Sequence, residues 1–154
     1  MEHKPGDDRI VQLLTEHEEA MSRLYQAYAE RFPEHRAFWT KLAEEEMQHA
    51  DWLRRLLAKV RQGLGHIRPD RFDVAAVQSS LADVQKLIEQ ARKPELSLAD
   101  ALTAAMAMEK SSIEAEYFEV FEGRAAEVTQ VQYCLADDIR DHYRRIEKLH
   151  SEIT

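Results

Sequence analysis

The spacing of the apolar residues constrains the fold of this chain more than any other feature of the sequence. In four long segments, apolar side chains recur at intervals of three and four residues, which is the spacing of one buried face of an α-helix. The 154 residues include only four glycines and four prolines, so few positions interrupt these segments. The pattern predicts four long helices, which lie from Ile10 to Phe32, from Phe38 to Val60, from Leu98 to Val120 and from Val128 to Leu149.

The breaks between these segments predict how the helices pair. Pro33 separates the first two segments and Gly123 separates the last two. Connections this short force neighbouring helices into antiparallel hairpins. We therefore expect one hairpin over residues 8–62 and a second over residues 97–152.

A shorter amphipathic segment, at residues 73–92, lies between the two hairpins and follows a loop at 63–72 that contains glycine and proline. A helix of about 20 residues rises about 30 Å, which is enough to carry the chain from one end of a bundle to the other. A bundle with one long crossover has the ferritin-like topology. The sequence therefore predicts one all-α domain over residues 1–154. This domain is an antiparallel four-helix bundle of ferritin-like topology with an extra crossover helix between helices 2 and 3.

An internal repeat supports the prediction of two related hairpins. A shift of 93 residues overlays His49 on His142 and Glu16 on Glu109. The same shift lays residues 42–45, Leu-Ala-Glu-Glu, on residues 135–138, Leu-Ala-Asp-Asp.

Composition and charge narrow the class of function. The net charge of −8 and the pI near 5.4 argue against a nucleic-acid partner, because phosphates are bound by basic surfaces. The apolar runs fall far short of the roughly 20 residues that span a bilayer, and the first residues lack the apolar core of a signal peptide, so no membrane partner and a cytoplasmic location are expected. The only cysteine, Cys134, excludes an internal disulfide and a metal site of paired cysteines.

Two polar residues lie on the apolar face of the second helix. On a helical wheel, Glu46 and His49 both fall near the middle of this face, between Leu42 and Leu53. They form a Glu-x-x-His pair, and residues three apart on a helix point the same way. Because an unpaired buried charge is costly, such residues are expected to be paired or to bind a metal.

The other long helices carry similar residues at about the same height. Carboxylates can bridge two cations, and imidazoles complete the ligand shell of each metal while leaving a position open for oxygen or peroxide. The pattern therefore favours a site for two metal ions between the helices. The candidate residues are His17 and Glu18 on the first helix, Glu109 on the third, and His142 on the fourth, with Asp138 one turn earlier on the flank.

Several of these segments together resemble the rubrerythrin-related branch of the ferritin-like superfamily, and the resemblance covers both hairpins. The segments are Glu18-x6-Tyr25, Arg31-Phe32-Pro33-Glu34, Trp39, and Leu42-Ala43-Glu44-Glu45-Glu46-x2-His49-Ala50. The resemblance implies a di-iron protein that reacts with oxygen or peroxide.

In that family, the iron ligands are one glutamate on each of helices one and three and a Glu-x-x-His pair on each of helices two and four. Carried over by position, the resemblance implies metal ligation by Glu18, Glu46, His49, Glu109 and His142. The repeat would instead pair Glu109 with Glu16, so which of Glu16, His17 and Glu18 faces the site stays open.

The second Glu-x-x-His pair departs from the family pattern. Ile139 stands three residues before His142, where a carboxylate is expected, and Asp138 is the nearest substitute. Three outcomes follow from this departure: two metals with Asp138 standing in, one metal on the side of Glu46 and His49, or none. A core histidine paired with a neighbouring carboxylate is the alternative reading of His142.

The favoured function is that of a metal-binding, rubrerythrin-like protein, with iron as the cofactor and manganese or zinc as alternatives. The rubredoxin module of typical rubrerythrins needs paired cysteines, so an electron donor is expected to be a separate protein. A homodimer is also expected from the resemblance. The alternative function is that of a degenerate ferritin-like bundle with a structural or protein-interaction role and no redox activity.

Overall fold

Helices account for most of the chain in the computed structural model, which describes residues 5–115, 120–123 and 125–154. Short 3₁₀ turns lie at Pro33–His35 and Pro69–Arg71. The α-helices are α1 (Pro5–Arg31), α2 (Arg36–Arg61), α3 (Val74–Ala91), α4 (Leu98–Ala115) and α5 (Ala126–Ile153).

The helices pack as a ferritin-like bundle, which confirms the predicted fold class. α1 packs along α2, α4 packs along α5, and α2 contacts α5. α3 lies against α1 and connects the two hairpins, as the crossover helix was expected to do. Its 18 residues rise about 27 Å.

Local sequence signals account for three of the helix boundaries. Pro33 starts the 3₁₀ turn that separates α1 from α2. The Asp73 carboxylate accepts a hydrogen bond from the amide of Ala76 at the start of α3, and Ser97 Oγ accepts one from the amide of Asp100 at the start of α4. These side chains satisfy amides that have no partner within the helix.

Two apolar clusters lie towards opposite ends of the bundle and leave a polar layer between them. One cluster surrounds Trp39, whose ring centroid lies 4.8 Å from that of Tyr28 and 5.6 Å from that of Tyr25. The other includes Leu56 and Phe121. Along α1, α2 and α5, the buried acids and histidines fall between the positions that build the two clusters.

A two-stranded antiparallel sheet was not predicted from the sequence. β1 (His66–Ile67) lies in the segment that was expected to be a loop, and it pairs with β2 (Phe121–Glu122). The expectation that the third long helix reaches Val120 is wrong, because the carbonyl of Val120 accepts a hydrogen bond from the amide of Arg68 beside this sheet. Tyr117, which the spacing assigns to the same helix, lies outside the described residues.

Among the described residues, no helix has the length and apolar character needed to cross a membrane.

Replacement of Gly65 by alanine should destabilise the protein, because the two segments of the sheet approach closely at this residue. A Cβ atom at Gly65 would lie 2.8 Å from the carbonyl oxygen of Glu122, so the backbone must move. We expect a loss of about 1–3 kcal/mol in the free energy of unfolding, measured by urea denaturation. Gly6→Ala is the control, since a Cβ atom there meets nothing within 4 Å. Equal stabilities of the two variants would contradict the close approach.

Candidate metal centre

Each helix of the two hairpins contributes a buried acid or histidine to the polar layer. The side chains converge from helices that are far apart in sequence, so the cluster depends on the fold of the whole bundle. Buried charges are tolerated where they are paired or bound to a metal. The residues are Glu18 on α1, Glu46 and His49 on α2, Glu109 on α4 and His142 on α5.

The carboxylate of Glu46 lies between the two histidines. Its Oε2 atom is 3.3 Å from Nδ1 of His49, and its Oε1 atom is 3.0 Å from Nδ1 of His142. The two imidazole rings are 5.0 Å apart between centroids. Each oxygen of one carboxylate thus faces a different imidazole, an arrangement that is compatible with a carboxylate that bridges two cations.

A second carboxylate accompanies each histidine. Glu18 Oε2 lies 3.4 Å from Nδ1 of His49, and Glu109 Oε1 lies 3.3 Å from Nδ1 of His142. The hydroxyl of Tyr25 donates a 2.6 Å hydrogen bond to the same oxygen of Glu109. The cluster therefore has two halves, Glu18 with His49 and Glu109 with His142, and both halves share Glu46.

The donor set fits divalent transition metals. Two donors that each lie about 2.1 Å from one ion are about 3.0–3.4 Å apart at octahedral or tetrahedral angles. The contacts between the Nδ1 atoms and the carboxylates fall in this range, and one donor atom from each of Glu46, His49 and His142 lies within 4.8 Å of the others. Mixed carboxylate and imidazole donors suit iron, manganese and zinc.

Comparison with known proteins identifies the family. The sequence profile of the Rubrerythrin family matches residues 15–150, which is most of the chain. The chain belongs to the rubrerythrin family. No curated protein and no solved structure matches it. The family and the buried cluster together support a ferritin-like protein that binds metal.

In this member of the rubrerythrin family, the outer nitrogen of each histidine faces a carboxylate from the opposite hairpin. Nε2 of His49 lies 2.5 Å from Asp138 Oδ2, and Nε2 of His142 lies 3.3 Å from Glu45 Oε1. The sequence predicted that Asp138 replaces the carboxylate missing at Ile139. Asp138 lies on the Nε2 side of His49, away from the carboxylates that face Nδ1, and its role as a metal ligand stays a prediction.

The candidate residues of α1 differ in their surroundings. Glu16 is exposed, so the repeat register that pairs it with Glu109 does not locate a site residue. His17 is buried, and its Nε2 atom is 2.7 Å from Ser80 Oγ on α3, so its ring faces the crossover helix. Burial lowers the pKa of His17, although the neighbouring Glu18 opposes this effect. Only Glu18 of the three reaches the cluster.

Sequence reasoning did not single out Glu45 and Trp52. Glu45 faces His142 and also forms a salt bridge with Arg145, while the Trp52 ring stacks on His49 with centroids 5.6 Å apart. The internal repeat contained a signal for Glu45, because it overlays this residue on Asp138. Nothing in the spacing of Trp52 distinguishes it from an ordinary packing residue.

The carboxylates and histidines shift one another's pKa values. Burial, together with the nearby Glu46 carboxylate, raises the pKa of Glu18 to about 7. Burial favours the neutral form of His49, but the Glu46 and Asp138 carboxylates outweigh it and hold the pKa well above 6.5. Burial likewise opposes the charge on His142, yet contacts with Glu109, Glu45 and Glu46 raise its pKa to about 12.

Binding of divalent cations should therefore release protons. The neighbouring carboxylates favour the protonated forms of both histidines before the metal binds, and a histidine nitrogen must lose its proton to become a ligand. Near pH 6 Glu18 is protonated as well. We expect release of about two protons per chain at pH 8 and about three at pH 6, so the apparent affinity should rise with pH. Isothermal titration with Mn²⁺ in buffers of different ionisation enthalpy measures the count.

The Glu18→Gln variant is the control for the third proton. It should release about two protons at both pH values, since its amide does not titrate. A binding enthalpy of the unaltered chain that does not depend on the buffer would contradict the charge state assigned to the histidines.

Proposed function

We propose that this protein binds two iron ions, or iron with manganese, between its long helices and reacts with oxygen or hydrogen peroxide. The observation that supports this proposal most directly is the position of Glu46, whose two oxygens face the Nδ1 atoms of two different histidines. Membership of the rubrerythrin family supports the same proposal.

The ligands divide between the two halves of the cluster. Glu18 and His49 would hold one ion, Glu109 and His142 would hold the other, and Glu46 would bridge them. Bound iron would supply the electrons that reduce oxygen or peroxide. Tyr25 keeps the Glu109 carboxylate oriented through its hydrogen bond. The apolar clusters towards the two ends of the bundle limit the access of water to the polar layer.

We assign to Asp138 the role of orienting His49. A carboxylate that accepts a hydrogen bond from the outer nitrogen of a ligating histidine fixes the ring and its tautomer. Asp138 lies 2.5 Å from Nε2 of His49, whereas the proposed ligand atom of this ring is Nδ1. The carboxylate missing at Ile139 is then not replaced, and Glu46 is the single bridging carboxylate.

Ile139 is also the observation that favours the alternative function, a degenerate bundle with a structural or interaction role. Ile139 is buried, so an apolar side chain occupies a position that carries a ligand in the family. A protein that uses its bundle only for interaction would retain its fold without metal. Metal content separates the two functions.

We propose that a separate protein donates the electrons, because the 154 residues include one cysteine and thus no cysteine pair that could hold the iron of a rubredoxin module. We also propose a homodimer in the cytoplasm. The elution volume in size-exclusion chromatography, calibrated by light scattering, tests the dimer.

The metal content of the reconstituted protein tests the role of Glu46 as the shared ligand. The unaltered chain, reconstituted with ferrous iron under anaerobic conditions and desalted, should retain about two ions per chain by mass spectrometry. Glu46→Gln removes the shared ligand and should reduce retention to about one ion or less. Glu44→Gln is the matched control, since Glu44 is exposed on the same helix. Retention of no iron or manganese by the unaltered chain would favour the degenerate bundle.

The affinity for Mn²⁺ tests the orienting role of Asp138. Asp138→Asn should weaken Mn²⁺ binding by about 10–100-fold, because the ring of His49 loses the carboxylate that orients it. The adjacent exposed Asp137→Asn serves as the control and should bind with unchanged affinity. Equal affinities of the two variants in competition titrations would contradict the orienting role.

The rate of iron oxidation tests the proposed reaction with hydrogen peroxide. Hydrogen peroxide should oxidise the iron of the anaerobic ferrous protein after rapid mixing. The absorbance of the ferric product gives the rate of this oxidation. The Glu46→Gln variant should react at least about tenfold more slowly, since its ions are not held as a pair. Oxidation no faster than that of the same iron concentration in buffer would contradict the proposed reactivity.

A further inference from the structure

The imidazole of His142 has carboxylates on both of its sides, and the proposed metal centre uses only the inner side. Its Nδ1 atom faces Glu46 and Glu109. Its Nε2 atom is 3.3 Å from Glu45 Oε1 and 3.6 Å from Asp138 Oδ2. This nitrogen is fully buried and makes no hydrogen bond within the part of the chain that the structure describes.

Glu45, Asp138 and Nε2 of His142, which we call the outer groups, have the spacing of ligands to one cation. One donor atom from each of Glu45, Asp138 and His142 lies within 4.8 Å of the others. Donors about 2.1 Å from a common ion lie about 3.0–3.4 Å apart, so small movements of the two carboxylates complete the geometry. Asp138 has two oxygens and can accept a hydrogen bond from His49 while it binds an ion.

The outer groups are closer to solvent than the inner ones. The side chains of Glu45 and Asp138 are 16% and 26% exposed, whereas those of Glu46 and Glu109 are each 3% exposed. An ion that approaches His142 from the side of these outer carboxylates therefore meets them before it meets Glu46.

The guanidinium of Arg145 can move away from Glu45 and still keep its second partner, Asp141. Its guanidinium forms a salt bridge with Glu45 and, through Nε, a second one with Asp141 at 2.9 Å. Arg145 is partly exposed, so a rotation of its side chain towards solvent and Asp141 does not leave a buried charge. A cation that displaces the guanidinium would take over its role as the counter-charge of Glu45.

We propose that Glu45, Asp138 and Nε2 of His142 form an outer binding position for a divalent transition-metal ion, at which ions are captured before they move to the inner centre. The inference rests on the proposed function only for the destination of the ion. A neutral imidazole keeps a proton on one nitrogen, so His142 binds an ion through Nε2 or through Nδ1, and not through both. Occupation of the outer position is therefore transient in the loaded protein.

Disabling the inner centre tests the outer position at equilibrium. The double variant Glu46→Gln/Glu109→Gln retains the outer groups and should bind one Co²⁺ per chain in equilibrium dialysis. Addition of Glu45→Gln should abolish this binding, whereas addition of the exposed Glu44→Gln should leave it unchanged. Absence of binding by the double variant, with its circular dichroism spectrum intact, would overturn the proposal. Retention of the ion in the triple variant that contains Glu45→Gln would also overturn it.

Binding kinetics test the capture role in single variants. In stopped-flow experiments with Co²⁺, Glu45→Gln should slow association and dissociation alike by about tenfold, because ions enter and leave through the same outer position and the loaded inner centre does not use Glu45. Arg145→Gln should accelerate both rates. If Glu45 served only to orient His142, its loss would instead raise the dissociation rate at an unchanged association rate.

The two experiments separate the proposals from each other. If the double variant binds one Co²⁺ but the unaltered chain does not bind two ions at the inner centre, the proposed function is refuted. The outer binding position would still be supported. Unchanged association rates in both single variants would overturn the capture role even if the inner centre binds two ions.

Discussion

The contact of the Glu46 carboxylate with two buried imidazoles is the interaction on which the rest of the site depends. Burial of several acids in a helical core is unfavourable unless cations compensate them. In the metal-free protein the protonated imidazoles of His49 and His142 supply this compensation, as their raised pKa values indicate. The same nitrogens become ligands when metal ions replace the protons, so one arrangement of side chains serves both states.

The fold could be predicted from the sequence because its elements are long. Each long helix repeats its apolar spacing over several turns, and Pro33 marks a break that leaves a single way to pair the first two helices. The pairing of β1 with β2 could not be predicted, because two-residue strands carry no periodicity. The same limit explains why the predicted end of the third helix is wrong. An apolar residue such as Val120 fits the buried face of a helix as well as a position beside a sheet.

The faces of the site residues could also be predicted, but not the rotation of their rings. A helical wheel places Glu46, His49, Glu109 and His142 towards the bundle centre, where the structure finds them. It does not show which imidazole nitrogen points inward. For that reason, only the three-dimensional structure shows two of the contacts. Asp138 lies against Nε2 of His49, and Glu45 lies on the outer side of His142.

In the proposed centre, the carboxylate of Glu46 holds two ions apart between two imidazoles. Anomalous diffraction from crystals of the manganese-loaded protein, recorded at the manganese edge, tests it most directly. The account predicts two peaks per chain, one on each side of the Glu46 carboxylate, with His49 Nδ1 bound to one ion and His142 Nδ1 bound to the other. A single peak, or peaks that do not contact Glu46, would contradict it.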